Sequence, residues 1–264
     1  MDDNSGQPSA KEVFDTTPYT ILVVDDNPDM TDFLKRTFEG YFKRIIIAGD
    51  GVEALQLVRS HVPDIIVSDV MMPRMNGYKL CKTIKEDINI SHIPVILLTA
   101  RDDRQSQISG YKNGADGYLS KPFEVEMLME LIRNRLKNRE YTKKRYLNAG
   151  LIPTPEESTI SLTDETFLIK LNSIIQENIE NSNLGIQFIC QEVGLGRSSL
   201  YNKLKALTGM GANEYISKLR IEKAITLISG TDMPFSEIAE KTGFTTPSYF
   251  STAFKQYTGE TPSQ

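Results

Sequence analysis

From Tyr19 to about residue 140, short apolar runs alternate with amphipathic stretches. "TILVV" (20–24) precedes a helical pattern carrying Phe33, Leu34 and Phe38. "RIIIA" (44–48) precedes another with Val52, Leu55 and Val58. "DIIVSD" (64–69) leads to a helix around Leu80 and Ile84, "PVILLTA" (94–100) to a polar helix, and "GYLSKPF" (117–123) to a long helix from Glu124 to about Tyr146. Strands this continuously apolar are buried on both faces. Five strand–helix units therefore predict an α/β, doubly wound, five-stranded parallel sheet. Ligands of such sheets gather at the carboxyl ends of the strands.

The pattern then changes. The charged stretch "RNRLKNREYTKKR" (133–145) reads as a mostly solvated helix face, Gly150, Pro153 and Pro155 break the helix, and Thr163 marks an N-cap region. Beyond Asp164 the periodicity is helical throughout. Ile189, Cys190, Gly194 and Leu195 recur as Ile238, Ala239, Gly243 and Phe244. Ser198, Leu200, Leu204, Lys205 and Gly209 recur as Ser248, Phe250, Phe254, Lys255 and Gly259. Each copy reads as helix, tight turn, helix: an all-α region with two helix-turn-helix units. A plain helical-hairpin repeat would give the same apolar spacing, but the polar outer faces of two matched helices favour DNA. The expected division is a flexible lead-in over 1–18, an α/β domain over 19–140, a helix extension and linker over 141–164, and the helical domain over 165–264, its C-terminus trimmed.

Composition narrows the partners. The chain has 264 residues, a formal charge of −5, 39% hydrophobic and 25% charged residues, so nucleic-acid binding has to come from a local face rather than net charge. No apolar run approaches the ~20 residues that cross a bilayer, and no signal-peptide core opens the chain, so a cytoplasmic protein without membrane contact is expected. Cys81 and Cys190 read as core thiols, and His61 and His92 are isolated, which argues against a His/Cys metal cage.

The chemistry gathers at strand ends. Asp25 and Asp26 end the first strand, Asp69 the third, Thr99 the fourth and Lys121 the fifth. Crowded carboxylates repel one another unless a cation binds, and an all-oxygen cluster suits Mg2+ or Mn2+ rather than zinc. A metal, an ammonium and a hydroxyl around one carboxylate are the parts needed for phosphoryl chemistry on that carboxylate. Separate surface acids and a capping threonine are the plainer reading. The coincidence on four strand ends argues against it.

The motifs "VVDDNPDM", "SDVMMPRMNG", "LLTA" and "GYLSKPF" resemble the receiver domain of bacterial two-component response regulators, over residues 19 to about 140. The resemblance implies a flavodoxin-like fold in which Asp69 accepts a phosphoryl group from a sensor histidine kinase. It implies that Asp26, Asp69 and the backbone carbonyl of Met71 ligate Mg2+, with Asp25 acting through water. Lys121 would contact the phosphoryl oxygens, and Thr99 and Tyr118 would form the switch pair. Such a domain is not an enzyme in its own right, assisting only its own phosphorylation and dephosphorylation.

"GLGRSSLYNKLKALTG" and "IAEKTGFTTPSYFSTAFKQYTGETPS" resemble the AraC-type DNA-binding domain. That resemblance implies two helix-turn-helix units joined by a long helix, here about Asn213 to Ile228. It places Ser198, Tyr201 and Asn202, then Ser248, Ser251 and Thr252, at base-contacting positions. Arg197, Lys205 and Lys255 suit phosphate contacts. The implied protein is a phosphorylation-controlled transcription regulator acting as a homodimer on double-stranded DNA and engaging RNA polymerase. The whole resembles the C-terminal part of hybrid two-component proteins, in which the kinase shares the chain and polysaccharide-use genes are commonly controlled. Rival readings are a free-standing response regulator with another regulon, a degenerate receiver that is not phosphorylated, and a phosphotransfer module whose helical half docks proteins.

Overall fold

The computed structural model describes residues 13–100, 114–149 and 161–262. Most of the expected lead-in, the polar helix after the fourth strand, the Gly150–Pro155 break and Gln264 lie outside the described residues.

The first half is a parallel sheet of β1 (Thr20–Val24), β2 (Arg44–Ala48), β3 (Ile65–Asp69), β4 (Val95–Ala100) and β5 (Gly117–Lys121) in the order β2-β1-β3-β4-β5. Alternation along each strand explains why helices are needed on both sides. Ile21, Val23, Ile65, Val67, Ile96 and Leu98 join one cluster with Leu34 and Phe38 of α1 (Pro28–Phe38) and Leu128, Ile132 and Leu136 of α4 (Val125–Ala149). Leu22, Val24, Ile46, Ile66, Val95 and Leu97 join the other with Ala54 and Val58 of α2 (Gly51–His61) and Leu80, Cys81 and Ile84 of α3 (Gly77–Glu86). Asn27, Asp50 and Asn76 cap the three helices that follow β1, β2 and β3.

The second half is helical among the described residues: α5 (Leu162–Glu177), α6 (Ile186–Val193), α7 (Arg197–Thr208), α8 (Ala212–Gly230), α9 (Phe235–Lys241) and α10 (Pro247–Thr258). The internal repeat is visible in the backbone. Gly194 and Gly243 close the first helix of each pair with φ of 76° and 72°, conformations a side chain disfavours. The long α8 feeds both cores. Ala212, Tyr215, Ile216 and Leu219 pack with α5–α7, whereas Ile221 and Ala224 pack with α9 and α10.

Three expectations change. Ser161, not Thr163, caps α5 through a hydrogen bond from the Asp164 N–H, and the Thr163 hydroxyl instead bonds the Lys85 carbonyl oxygen at 3.1 Å. Cys190 is half-buried rather than enclosed, while Cys81 is buried. The charged stretch of α4 is solvated on one face only: Asn134, Lys137, Asn138, Tyr141 and Lys144 are exposed, whereas Arg139 is half-buried and Thr142 buried where the helix packs against the helical half. Long basic side chains satisfy their charge at carbonyls and carboxylates of both halves there, which periodicity alone does not disclose.

Candidate functional site

At the carboxyl edge of the sheet, β3 ends on Asp69, and β4 and β5 bring Thr99 and Lys121 beside it through the pairings Asp69↔Leu98 and Ala100↔Lys121. Lys121 Nζ lies 2.5 Å from Asp69 Oδ1 and 2.9 Å from Asp25 Oδ2. Both carboxylates are buried, at 7% and 3% exposure. The free oxygen of each acid takes a backbone donor: Met71 N–H reaches Asp69 Oδ2 at 2.6 Å, and Asn27 N–H reaches Asp25 Oδ1 at 2.9 Å. The loop after β3 can fold this tightly because Gly77 has no side chain; a Cβ there would lie 2.3 Å from the Asp69 carbonyl oxygen. Arg74, with φ of 60°, pairs from the same loop with Asp50.

Burial raises the Asp69 pKa above the ordinary carboxyl value, with the nearby Asp25 adding to it, and the Lys121 hydrogen bond only partly offsets this. Burial alone would lower Lys121, but its bonds to Asp25 and Asp69 outweigh that and raise it. The ammonium is thus held firmly charged between two acids. Thr99 is 1% exposed, and its hydroxyl has no hydrogen-bond partner among the described residues. A buried hydroxyl in that state can take a further hydrogen-bond partner. Tyr118 on β5 is half-buried against the cluster that contains Leu97.

Asp25, Asp69, Thr99 and Lys121 therefore share one rim, with Tyr118 two pairs down the strand. Asp26 lies past the end of β1, next to Asp25 in the chain, and is exposed where Asp25 is buried. Among the described residues no three His, Cys, Asp or Glu side chains stand together as a metal cluster. Of the three expected acids, Asp25 and Asp69 are paired with the Lys121 ammonium. The donor chemistry still fits a hard cation, since the reachable groups are carboxylate and carbonyl oxygens and the unbonded hydroxyl lies beside them.

In the helical half, Arg197, Ser198, Tyr201 and Lys205 are exposed along α7 and Asn202 is half-buried, while Leu200, Leu204 and Leu207 point inward. On α10, Ser248, Ser251, Thr252 and Lys255 are all exposed, and Phe250 and Phe254 are buried. The two helices thus present matching polar faces. One inward residue escaped the sequence reading: Lys203 of α7 is fully buried beside Asp164. Its position three after Leu200 and four before Leu207 puts it on the leucine face, a signal the helical spacing carried.

The family model "Response regulator receiver domain" matches residues 21–133, and the model "Helix-turn-helix domain" matches residues 189–264. A protein named histidine kinase P4, from Formosa agariphila, is 41% identical over 245 residues; these are 93% of this chain and 18% of that protein. The response regulator MprA of Mycobacterium sp. (strain KMS) is 36% identical over 165 residues, covering 58% of this chain and 70% of the relative. Among solved structures, the receiver domain of Francisella response regulator 1452 is 37% identical, with a TM-score of 0.42 over 46% of this chain and 98% of that one. The chain spans less than a fifth of the length of the kinase P4.

The fold and the matched segments define a two-component regulator, a receiver domain followed by an AraC-type helix-turn-helix domain. The chain belongs to the response regulator family. Neither matched domain is a catalytic family, and no helix among the described residues is long and apolar enough to cross a membrane.

Proposed function

We propose that the chain is a transcription regulator switched by phosphorylation of Asp69. The observation that carries this reading is the Lys121 ammonium bridging Asp25 and Asp69, with the unbonded Thr99 hydroxyl on the same rim. An Asp69 oxygen attacks phosphorus as the P–N bond of a kinase phosphohistidine breaks, giving an acyl phosphate and a free imidazole. Lys121 then passes from the Asp69 carboxylate to the phosphoryl oxygens, and the Thr99 hydroxyl donates to another of them. Tyr118 responds to the displacement of Thr99. Mg2+ (or Mn2+), held by Asp26, Asp69 and the Met71 carbonyl with Asp25 through water, would offset the charge of the incoming group.

The receiver would span 19–140 and the output domain 165–264, joined through 141–164. Ser198, Tyr201, Asn202, Ser248, Ser251 and Thr252 would face bases, and Arg197, Lys205 and Lys255 phosphates. Binding to successive grooves by a homodimer compensates for the modest cationic charge, and RNA polymerase is the downstream partner. The similarity to part of a histidine kinase supports a donor in the same parent chain. Polysaccharide-use genes as targets rest on the resemblance of the motifs alone.

The test is incubation with a small phosphodonor and Mg2+ followed by intact-mass measurement. One phosphoryl group should appear on the wild type and none on Asp69→Asn; label on both would refute the assignment. Sequence-selective retention of DNA separates this reading from a protein-docking helical half.

A further inference from the structure

The two halves meet on the sheet edge opposite Asp69. Asp64 precedes β3, Ser91 and His92 precede β4, and Lys85 lies at the end of α3, so all sit at the amino edge, about 17 Å from the acceptor across a five-residue strand. There Ser91 Oγ donates to Asp164 Oδ1 at 2.7 Å and accepts from Lys203 Nζ at 2.8 Å, while Lys203 pairs directly with Asp164. Exposure is 0% for Ser91, 2% for Asp164 and 0% for Lys203. Arg139 of α4 spans the same junction, reaching the Asp64 carbonyl oxygen at 3.1 Å and the Ala206 carbonyl oxygen on α7 at 3.5 Å. From α8, Lys218 donates to the Tyr146 carbonyl oxygen of α4. A cavity of about 70 Å³ remains between the halves, with His92 and Arg139 on its wall.

An ion pair buried so deeply is a poor way to gain net stability, because desolvation cancels most of the attraction. It does favour one arrangement: Lys203 and Asp164 pair directly within the helical half, and Ser91 from the receiver bonds both of them at once. Lys203 also lies on α7, directly after Asn202 in the chain, so the receiver grips the first recognition helix from behind. Arg197, Ser198, Tyr201 and Lys205 stay exposed in that docked state, and so do the corresponding residues of α10.

We propose that Ser91, Asp164, Lys203 and Arg139 form an interdomain latch that fixes the first recognition helix to the receiver, transmitting the receiver's state to that helix without covering the DNA-reading faces. The inference rests on the functional reading above for its transmission half and on the docking geometry for its mechanical half. It differs from a mask, in which the receiver would block DNA until released.

Amide exchange and DNA binding on the full chain test the two halves separately. In the wild type, residues 87–93 and 203–208 should be protected together. Ser91→Ala, which removes one hydroxyl, should speed exchange in both segments while β1 and α10 keep theirs. Arg139→Gln serves as a second variant that spares the buried pair. Both should leave unphosphorylated DNA affinity within about twofold and shrink the effect of phosphorylation about threefold or more. Independent exchange of the two segments, or an undiminished phosphorylation effect in both variants, overturns the latch alone. Unphosphorylated variants that bind about tenfold tighter overturn it in favour of a mask. Wild-type binding that ignores the phosphodonor, with the segments still protected together, overturns transmission and the proposed control of transcription.

Discussion

Lys121 Nζ stands 2.5 Å from Asp69 Oδ1, the shortest of its two carboxylate contacts, and 2.9 Å from Asp25 Oδ2. The geometry makes the ammonium a placeholder for whatever charge Asp69 acquires. Replacing Lys121 with Met should leave both buried acids without that cation and raise the Asp69 pKa further. Phosphodonor labelling, followed by mass, should fall about 100-fold or more, as for loss of one group that stabilises developing charge. Labelling at the wild-type rate would remove Lys121 from the mechanism.

The acceptor itself is a source of instability. Its pKa is raised by burial, so the protonated form is favoured in the fold: the native state is favoured below the ordinary carboxyl value, and that advantage is lost as pH rises through the raised value. At neutral pH, Asp69→Asn relieves a buried charge and should raise the melting temperature by about 2–4 °C, the shift that ~1 kcal/mol produces in a chain of this size. A lower melting temperature would mean that the Lys121–Asp69 pair is net stabilising.

Much of this rim is legible in the sequence. Apolar runs of strand length fixed the parallel sheet, and in such a sheet residues that end neighbouring strands must share an edge, so Asp25, Asp69, Thr99 and Lys121 follow from position alone. The helix-turn-helix repeat was legible for a similar reason, since its glycines and inward Leu and Phe residues are local requirements. Asp26 is less legible, because it lies past the end of β1, where strand alternation no longer says which way a side chain turns. The junction between the halves was hidden for a deeper reason. Ser91, Asp164 and Lys203 are each unremarkable in their own segment, and only tertiary packing brings residues 73 and 112 positions apart into contact.

The buried pair predicts a particular acid response. Burial pushes Asp164 up, but Lys203 and the Ser91 and Ser161 hydroxyls more than offset this and hold it below its ordinary value. At Lys203 burial wins over the attraction of Asp164 and lowers the ammonium. The two directions pull apart, since the lowered carboxyl favours its charge and the lowered ammonium disfavours its own; the direct Lys203–Asp164 contact and the Ser91 and Ser161 hydrogen bonds to the carboxylate support the charged pair. A lowered carboxyl contributes stability that is present above the ordinary value and lost as pH falls through the lowered one. Urea unfolding across acidic pH should therefore show a flatter acid limb for Asp164→Asn than for wild type. Lys203→Ala should cost about 3–5 kcal/mol, because it strands a buried carboxylate; a cost below ~1 kcal/mol would show that water reaches the pair.

Gly77 controls how the acceptor loop closes. A methyl group there collides with the Asp69 carbonyl oxygen, so Gly77→Ala should destabilise by about 1–3 kcal/mol and slow phosphorylation together. Gly40, whose added Cβ meets nothing within 4 Å, is a poor control because its φ is 83°. Gly196, open and without positive φ, is the better one. Equal denaturation midpoints for Gly77→Ala and wild type would show that the loop relaxes freely.

On the DNA side, Asn202→Ala should cost about 1–3 kcal/mol at one base position, whereas Lys255→Ala should weaken all sequences alike and reduce the salt slope by about one. Binding to a cognate and a scrambled duplex across salt concentrations separates the two. Equal losses on both duplexes for Asn202→Ala would reassign that side chain to the backbone.

The most direct measurement is DNA affinity of the full chain with and without a small phosphodonor and Mg2+, for wild type and Asp69→Asn side by side. The account predicts a change of about tenfold for wild type, equivalent to ~1.4 kcal/mol of coupling, and none for the variant. An affinity unmoved in both, or moved equally in both, would contradict it.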